Sequence, residues 1–401
     1  MSTPSSSEGK GDRKMIVTSS QEKSFAVLKN SFREYYFKST KVVEEPAKIE
    51  KREFGYTHFG QPGMVRHLTF RSIGELAAVL VREAPSDVYC SNAYYRFPAQ
   101  PMQEKGWQGS DLIFDIDGKD LELACVSSHS YFCCTNCGLP APTEDNKQYT
   151  CRSCGGKKAD IVSVPCSNCV EESKKEVRKL IGFLTEDLGM DQGGISLYFS
   201  GNNGFHVHVT DDAFVPLDPA ARSDLVGYIS GVGFLTDNVG VRKGKAENLF
   251  TVKFPKGGIS YGWRKKIGEK LRVESSSMIR LRHIVDNAGG YLPFKLALEK
   301  MAKQMGVRID PQVSTDVHRI FRMPGTLNSK SGLTKAKCKD FDSFDPFVDA
   351  CLLGDGKISI RVKAPVKARL RGKTFNLSKE SAELPAYAAV YLICKGLAEA
   401  S

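Results

Sequence analysis

The chain has 401 residues, of which 41% are hydrophobic and 26% charged, and a formal net charge of +11. That hydrophobic content excludes wholesale disorder, and the length fits one large domain with insertions or two or three smaller ones. The positive balance, with a pI near 9.0, points to a polyanionic partner, since Lys and Arg that neutralise phosphates release counterions; a simply basic soluble protein fits the charge as well.

No apolar run approaches the roughly 18 residues of a membrane span. The Ser-rich, charged N-terminus lacks a secretory apolar region. These features predict a cytoplasmic protein, nuclear if its source is eukaryotic, with no membrane partner. In that reducing setting the twelve cysteines are not expected to form disulfides, and the eight that fall in one 45-residue window read as metal ligands.

In chain order, residues 1–20 read as a flexible tail, and residues 21–124 open an α/β domain. Ser24 to Tyr36 has helical periodicity. Arg52 to Phe59 and Val65 to Phe70 read as strands joined through Gly60-Gln61-Pro62-Gly63. Ser72 with Glu75 is a capping-box pattern that opens a helix, and Asp87 to Tyr95 returns as a strand. Asp111 to Asp117, Asp-Leu-Ile-Phe-Asp-Ile-Asp, alternates with the period of a strand. Leu112, Phe114 and Ile116 therefore face a core, while Asp111, Asp115 and Asp117 share the other face. Carboxylates held that close repel, and a pair of divalent cations is the usual relief; a solvated acidic edge is the bland alternative.

Residues 125–169 form a zinc-binding insertion, with eight cysteines in 45 residues. Cys134 and Cys137, then Cys151 and Cys154, make two CxxCG knuckles thirteen residues apart, a spacing that closes a tetrahedral zinc site. Cys125, His129, Cys166 and Cys169 form a second site if the pairs are nested. A cross-braced arrangement uses the same ligands, and Cys133 could replace Cys134. Four protein ligands leave no open position, so both sites read as structural.

The α/β domain continues over 170–217. Val170, Val177, Leu180, Ile181, Leu184 and Leu188 form a helical stripe that Gly189 ends. Ile195 to Phe199 and Phe205 to Val209 then alternate about Gly201-Asn202-Asn203-Gly204 as a hairpin, with His206 and His208 on one face. Residues 218–306 read as a mainly helical insertion with a basic cluster at Arg264, Lys265 and Lys266. Residues 307–401 complete the domain. There Ser314 is the expected N-cap of a short helix burying Val317, Ile320 and Phe321, with Arg319 and Arg322 converging on its other side. Arg361, Lys363, Lys367, Arg369, Arg371 and Lys373 fall on odd numbers and line one face if extended. This face suits a template track, a partner surface or a charged edge that discourages aggregation. Leu384 to Leu397 reads as a terminal helix.

Three stretches carry a resemblance. They are Asp111 to Asp117, Ser200-Gly-Asn-Asn-Gly-Phe-His206, and Arg319-Ile-Phe-Arg-Met-Pro-Gly-Thr-Leu-Asn328-Ser-Lys-Ser-Gly-Leu333. In order and separation these resemble the motifs of the catalytic small subunit of archaeal and eukaryotic DNA primases. Arg52-Glu53-Phe54-Gly55-Tyr56 and the Cys166 to Cys169 pair are also similar to that family. The resemblance implies a primase-type palm, a mixed sheet with flanking helices. It implies template-directed synthesis of short primers from nucleoside triphosphates on single-stranded DNA. By the same resemblance Asp115, Asp117 and Asp310 would hold Mg²⁺ or Mn²⁺. Ser200, His206, Arg319, Arg322, Asn328 and Lys330 would bind the incoming nucleotide, with Glu53 and Arg66 near its pocket. The expected partner is a primase large subunit, which in the family carries an iron–sulfur cluster. The Cys134 to Cys154 ribbon is an elaboration, and Asn203 stands where the family usually has an arginine. A repair or translesion primase-polymerase of the same superfamily, and a non-catalytic zinc-ribbon subunit that binds nucleic acid, are the alternatives.

Overall fold

The computed structural model describes residues 19–143, 149–254, 261–273, 277–378 and 380–401. The tail expected over residues 1–18 lies outside them. Residues 19 and 20 instead begin a helix, α1 (Ser19–Lys38), whose Leu28, Phe32, Tyr35 and Tyr36 recur at helical spacing and are buried. β1 (Phe54–Thr57) and β2 (Val65–Leu68) form the first hairpin. α2 (Ile73–Glu83) starts where Ser72 Oγ accepts from Glu75 N at 3.4 Å while Glu75 Oε2 accepts from Arg71 N at 2.8 Å. This reciprocal capping satisfies amide donors that the first helical turn leaves free.

β3 (Asp87–Ser91), β4 (Ala93–Tyr95), β5 (Trp107–Ser110) and the acidic strand β6 (Leu112–Asp117) follow. The cysteine window folds as a small sheet of β7 (Ser130–Cys134), β8 (Pro140–Pro142) and β9 (Ala159–Ser163), and then α3 (Ser167–Gly182) begins. β10 (Ile195–Phe199) and β11 (Gly204–Val209) are the expected hairpin, in register from Ile195 opposite Val209 to Phe199 opposite Phe205.

The next segment carries α4 (Pro219–Ser230), a hairpin of β12 (Val241–Lys243) and β13 (Phe250–Val252), then α5 (Gly262–Leu271), α6 (Met278–Asn287) and α7 (Tyr291–Met305). The helix expected from Ser314 is different in the structure. Asp310 is the N-cap and Pro311 the first residue of a one-turn helix, α8 (Pro311–Thr315), and β14 (Ile320–Arg322) is a strand. Pairing of Ile320, Phe321 and Arg322 with Ser91, Cys90 and Tyr89 of β3 supplies the backbone partners that a helix would otherwise provide.

The remainder comprises β15 (Ala336–Lys337), α9 (Pro346–Asp349), β16 (Lys357–Val362), β17 (Val366–Leu370), β18 (Lys373–Leu377), β19 (Ser381–Pro385), α10 (Ala386–Cys394) and β20 (Ala398–Ala400). The terminal helix is therefore shorter than its apolar run, because Leu384 pairs with Ile358 in the β19–β16–β20 sheet. The odd-numbered basic residues do alternate with buried neighbours. Most already have partners, since Arg361 and Lys363 meet Glu399, Arg369 meets Asp345 and Arg371 meets Asp355.

Two four-stranded sheets place the site. Their orders are β14-β3-β1-β2 and β15-β10-β11-β6, and all their strand pairs are antiparallel. One face of the second sheet buries Leu112, Phe114, Ile116, Phe205 and Val207 in the main core with Val177, Leu180 and Leu184. Each such side chain contributes roughly 1.5–3 kcal/mol by leaving water. The opposite face meets β14, where the Phe321 ring lies 5.8 Å from His206 and 6.4 Å from His208 between ring centroids.

Candidate active site

β6 and β11 pair so that His206 lies opposite Asp115 and Gly204 opposite Asp117. Gly204 is required there, since a Cβ would collide with the Ile116 carbonyl and come within 2.9 Å of the Asp117 Cα. Asp310 arrives from 193 positions beyond Asp117. Its amide donates to the Asp115 carbonyl at 3.1 Å, and its own carboxylate caps α8 by accepting from Gln312 N at 2.9 Å. Burial, then Asp117, then Asp310 push the Asp115 carboxyl up to about 7, against the pull of Lys119 and Lys335. Carboxylates crowded in this way are relieved by a bound divalent cation. Asp111 is not part of the cluster. Arg52 and the Tyr94 hydroxyl hold it at 2.6 and 2.5 Å, beside a second cavity of about 360 Å³ further along the same sheet face.

Facing the carboxylates is a basic wall. His206 Nε2 is 3.5 Å from Asp115 Oδ1. Burial and the positive charges of Lys335, Arg322 and Arg319 hold its pKa well below the ordinary value, so the ring is neutral. Its Nδ1 is buried without a hydrogen-bond partner among the described residues. The ring stacks at 16° on His208, whose Nε2 lies 3.1 Å from the fully buried Lys335 ammonium. Arg322 is clamped by Asp87 at 2.5 Å, and Asp87 also accepts from Ser329 N at 3.0 Å and Ser329 Oγ at 2.7 Å.

Asn328 Oδ1 accepts from Lys330 N at 2.9 Å, and Ser331 Oγ donates to the Gly201 carbonyl. Asp115, Asp117, Ser200, His206, Arg319, Arg322, Asn328 and Lys330 line one cavity of about 320 Å³, together with Asp87, Asn202 and Asn203. Asp310 does not line this cavity; its backbone bond sets it next to Asp115.

Glu53 and Arg66 do not line that cavity. Glu53 is fully buried, with Arg66 at 3.0 Å and Lys105 at 3.4 Å. Burial would raise its pKa, yet the Arg66 hydrogen bond and the Lys105 charge bring it below the ordinary value. Sequence reasoning missed Asp87, a lone acid at a strand start that carries no periodic signal. It also missed Lys335, because a lysine in a polar loop reads as solvated.

The cysteines gather as nested pairs. Cys125, His129, Cys166 and Cys169 form one cluster, and Cys134, Cys137, Cys151 and Cys154 the other. Cys133 belongs to neither. Sulfur separations of 3.5 to 3.8 Å suit a tetrahedron with bonds of about 2.3 Å. His129 Nε2 is 3.2 Å from Cys169 Sγ, while its Nδ1 lies 3.1 Å from Ser163 Oγ, which orients the ring. Each cluster can hold a zinc ion.

Carboxylates on one strand, opposed across a polar cavity by guanidinium, imidazole and ammonium groups, suit a divalent cation together with a phosphate-bearing ligand. Comparison with known proteins agrees with that class. A family model described as the DNA primase small subunit matches residues 159–339. The chain is 39% identical over 373 residues to the DNA primase small subunit PriS of Nitrosopumilus maritimus, covering 92% of this chain and 97% of that protein. It is 39% identical over 382 residues to that of Cenarchaeum symbiosum, covering 95% and 100%. Against that of Archaeoglobus fulgidus it is 30% identical over 385 residues, covering 92% and 96%. The chain belongs to the DNA primase small subunit family. Among the described residues no helix is long and apolar enough to cross a membrane.

Proposed function

We propose that this protein is the catalytic subunit of a DNA primase, a nucleotidyltransferase with a palm-type core that makes short primers from nucleoside triphosphates on single-stranded DNA. The observation that carries the reading is the convergence of Asp115 and Asp117 with His206, Arg319, Arg322 and Lys330 on one cavity. Asp115 and Asp117, with Asp310 beside Asp115, would hold Mg²⁺ or Mn²⁺. When bound, the ions supply activation of the attacking 3′-hydroxyl and neutralisation of the leaving pyrophosphate.

The chain's own residues do the rest. Arg322, oriented by Asp87, and Arg319 take the β and γ phosphates with charge-assisted hydrogen bonds. Neutral His206 donates to a phosphate oxygen through Nε2, since its Nδ1 is buried. Ser200, Asn328 and Lys330 complete the cradle. The two zinc ions are structural, because no ligand position stays open. Glu53 and Arg66 brace the first sheet. The protein acts in the cytoplasm as a heterodimer with a primase large subunit. Purified alone, it carries no iron–sulfur absorbance.

The test is primer synthesis from nucleoside triphosphates on unprimed single-stranded DNA with Mn²⁺, with and without the large subunit. Products in both wild-type reactions and none from Asp115→Ala support the reading. Extension of preformed primers without synthesis on bare template would instead make the protein a repair-type polymerase. No nucleotide addition under either condition would leave a non-catalytic nucleic-acid-binding subunit.

A further inference from the structure

Under the loop that closes the β10–β11 hairpin lies a buried cation without an acidic partner. Lys395, the residue after α10, is 3% exposed. Among the described residues it forms no ion pair. Its ammonium donates to Asn202 Oδ1 at 2.8 Å and lies 5.5 Å from the ring centroid of Tyr391, one turn earlier. Packing alone does not account for it, since a methionine would fill the same space without burying a charge. Burial lowers its pKa to about 7, with Cys394 opposing the fall, Lys330 adding to it and Asp117 opposing it. Lys395 is thus electrically close to two residues that line the catalytic cavity.

Asn202 is its route into that cavity. The loop Ser200-Gly-Asn-Asn-Gly204 carries no charge of its own, yet Asn202 and Asn203 both line the site. An asparagine amide has an acceptor end and a donor end, and either can face a ligand. An anion needs the donor end. An ammonium bonded to Oδ1 fixes that choice, because the reversed amide would set its N–H groups against the N–H groups of the lysine.

We propose that Lys395 is a positioning residue for the nucleotide: it locks the Asn202 carboxamide with its N–H groups toward the triphosphate. The inference rests on the reading of the cavity as a triphosphate site. It gives the segment after the terminal helix a part in substrate affinity.

The experiment measures ATP binding with Mn²⁺ by calorimetry, without template, alongside KM and kcat for primer synthesis. Lys395→Met should weaken ATP binding and raise KM roughly tenfold, an effect the size of one charge-assisted hydrogen bond, with kcat within about twofold and no fall in melting temperature. Asn202→Ala should weaken binding to a similar extent. The double variant should be no worse than either single one, because the lysine acts through the amide. Asn202→Asp, which keeps Lys395 satisfied but offers no N–H to a phosphate, should bind ATP more weakly than the parent even if Lys395→Met fails to fold. Parent-like affinity in Lys395→Met or in Asn202→Asp, or fully additive losses in the double variant, would overturn the inference. A parent protein that binds no ATP would overturn the reading of the cavity as well.

Discussion

Removing Asp87 tests whether Arg322 is a prepositioned phosphate ligand or a structural cation. The two side chains are 11% and 12% exposed and 2.5 Å apart, so solvent screens them little. Asp87→Ala leaves a buried guanidinium whose remaining protein hydrogen bond is to the Leu327 carbonyl at 3.0 Å. It also strips Ser329 of its acceptor. Breaking one side of a buried pair costs about 3–5 kcal/mol, which lowers the melting temperature by several degrees.

The pH sign is definite. Burial alone would raise the Asp87 pKa, but Arg322 and Ser329 outweigh it and hold the group below its ordinary 3.8. The stabilisation is therefore complete above that value and lost as pH falls below it, through the lower folded pKa, and melts at pH 7 report its full size. The second variant, Asp87→Ala with Arg322→Met, removes both charges and should recover most of the lost stability. Its KM for nucleotide should stay raised, since the phosphate ligand is gone. Thermal melts with nucleotide titrations at fixed metal and template read both effects. If Asp87→Ala melts and binds like the parent, or the double variant is no more stable than Asp87→Ala, the account of this pair is wrong.

Four further outcomes are expected. Asp115→Ala and Asp117→Ala should each abolish nucleotide addition with Mg²⁺ or Mn²⁺ while the fold holds, because each removes a crowded like charge; most activity surviving in a folded variant would refute the assignment. With Asp115 pushed up to about 7, the metal-free protein should lose stability as pH rises from about 4 to 7, and Mn²⁺ affinity should increase across the same range and flatten above it; an affinity independent of pH, measured by calorimetry, would contradict this. Elemental analysis should find two zinc ions per chain, with Cys166→Ser and Cys137→Ser each removing a different one. Asn203 lines the cavity, so Asn203→Arg should lower KM for nucleotide by adding a charge-assisted donor; an unchanged or higher KM would mean that the side chain faces away.

Those features of the site that depend on local period were legible in the sequence. Asp115 and Asp117 alternate with core residues along β6, and His206 and His208 alternate along β11, so strand geometry alone put each pair on one face. The CxxC knuckles announced both metal clusters, and the structure decided for nesting over cross-bracing. In the sequence Arg319 and Arg322 read as helical, because β14 has three residues, too few to display alternation, and its partner β3 lies some 230 positions away. Pairing across the fold overrode the local signal. Asp87, Lys335 and Lys395 look in sequence like ordinary surface charges. Only burial makes them informative.

The assembly of the carboxylates has a consequence for synthesis of the protein. Asp310 follows Asp117 by 193 positions, and at typical translation speeds those residues take about 10–40 s to emerge. The cysteine clusters need only a 45-residue stretch and can close around their metals long before that. β6 must wait on the ribosome with its acidic face uncovered until α8 docks and β14 pairs with β3. A nascent chain can therefore bring its cysteine clusters together early, while the carboxylates of the proposed cation site come together only once most of its length has been made.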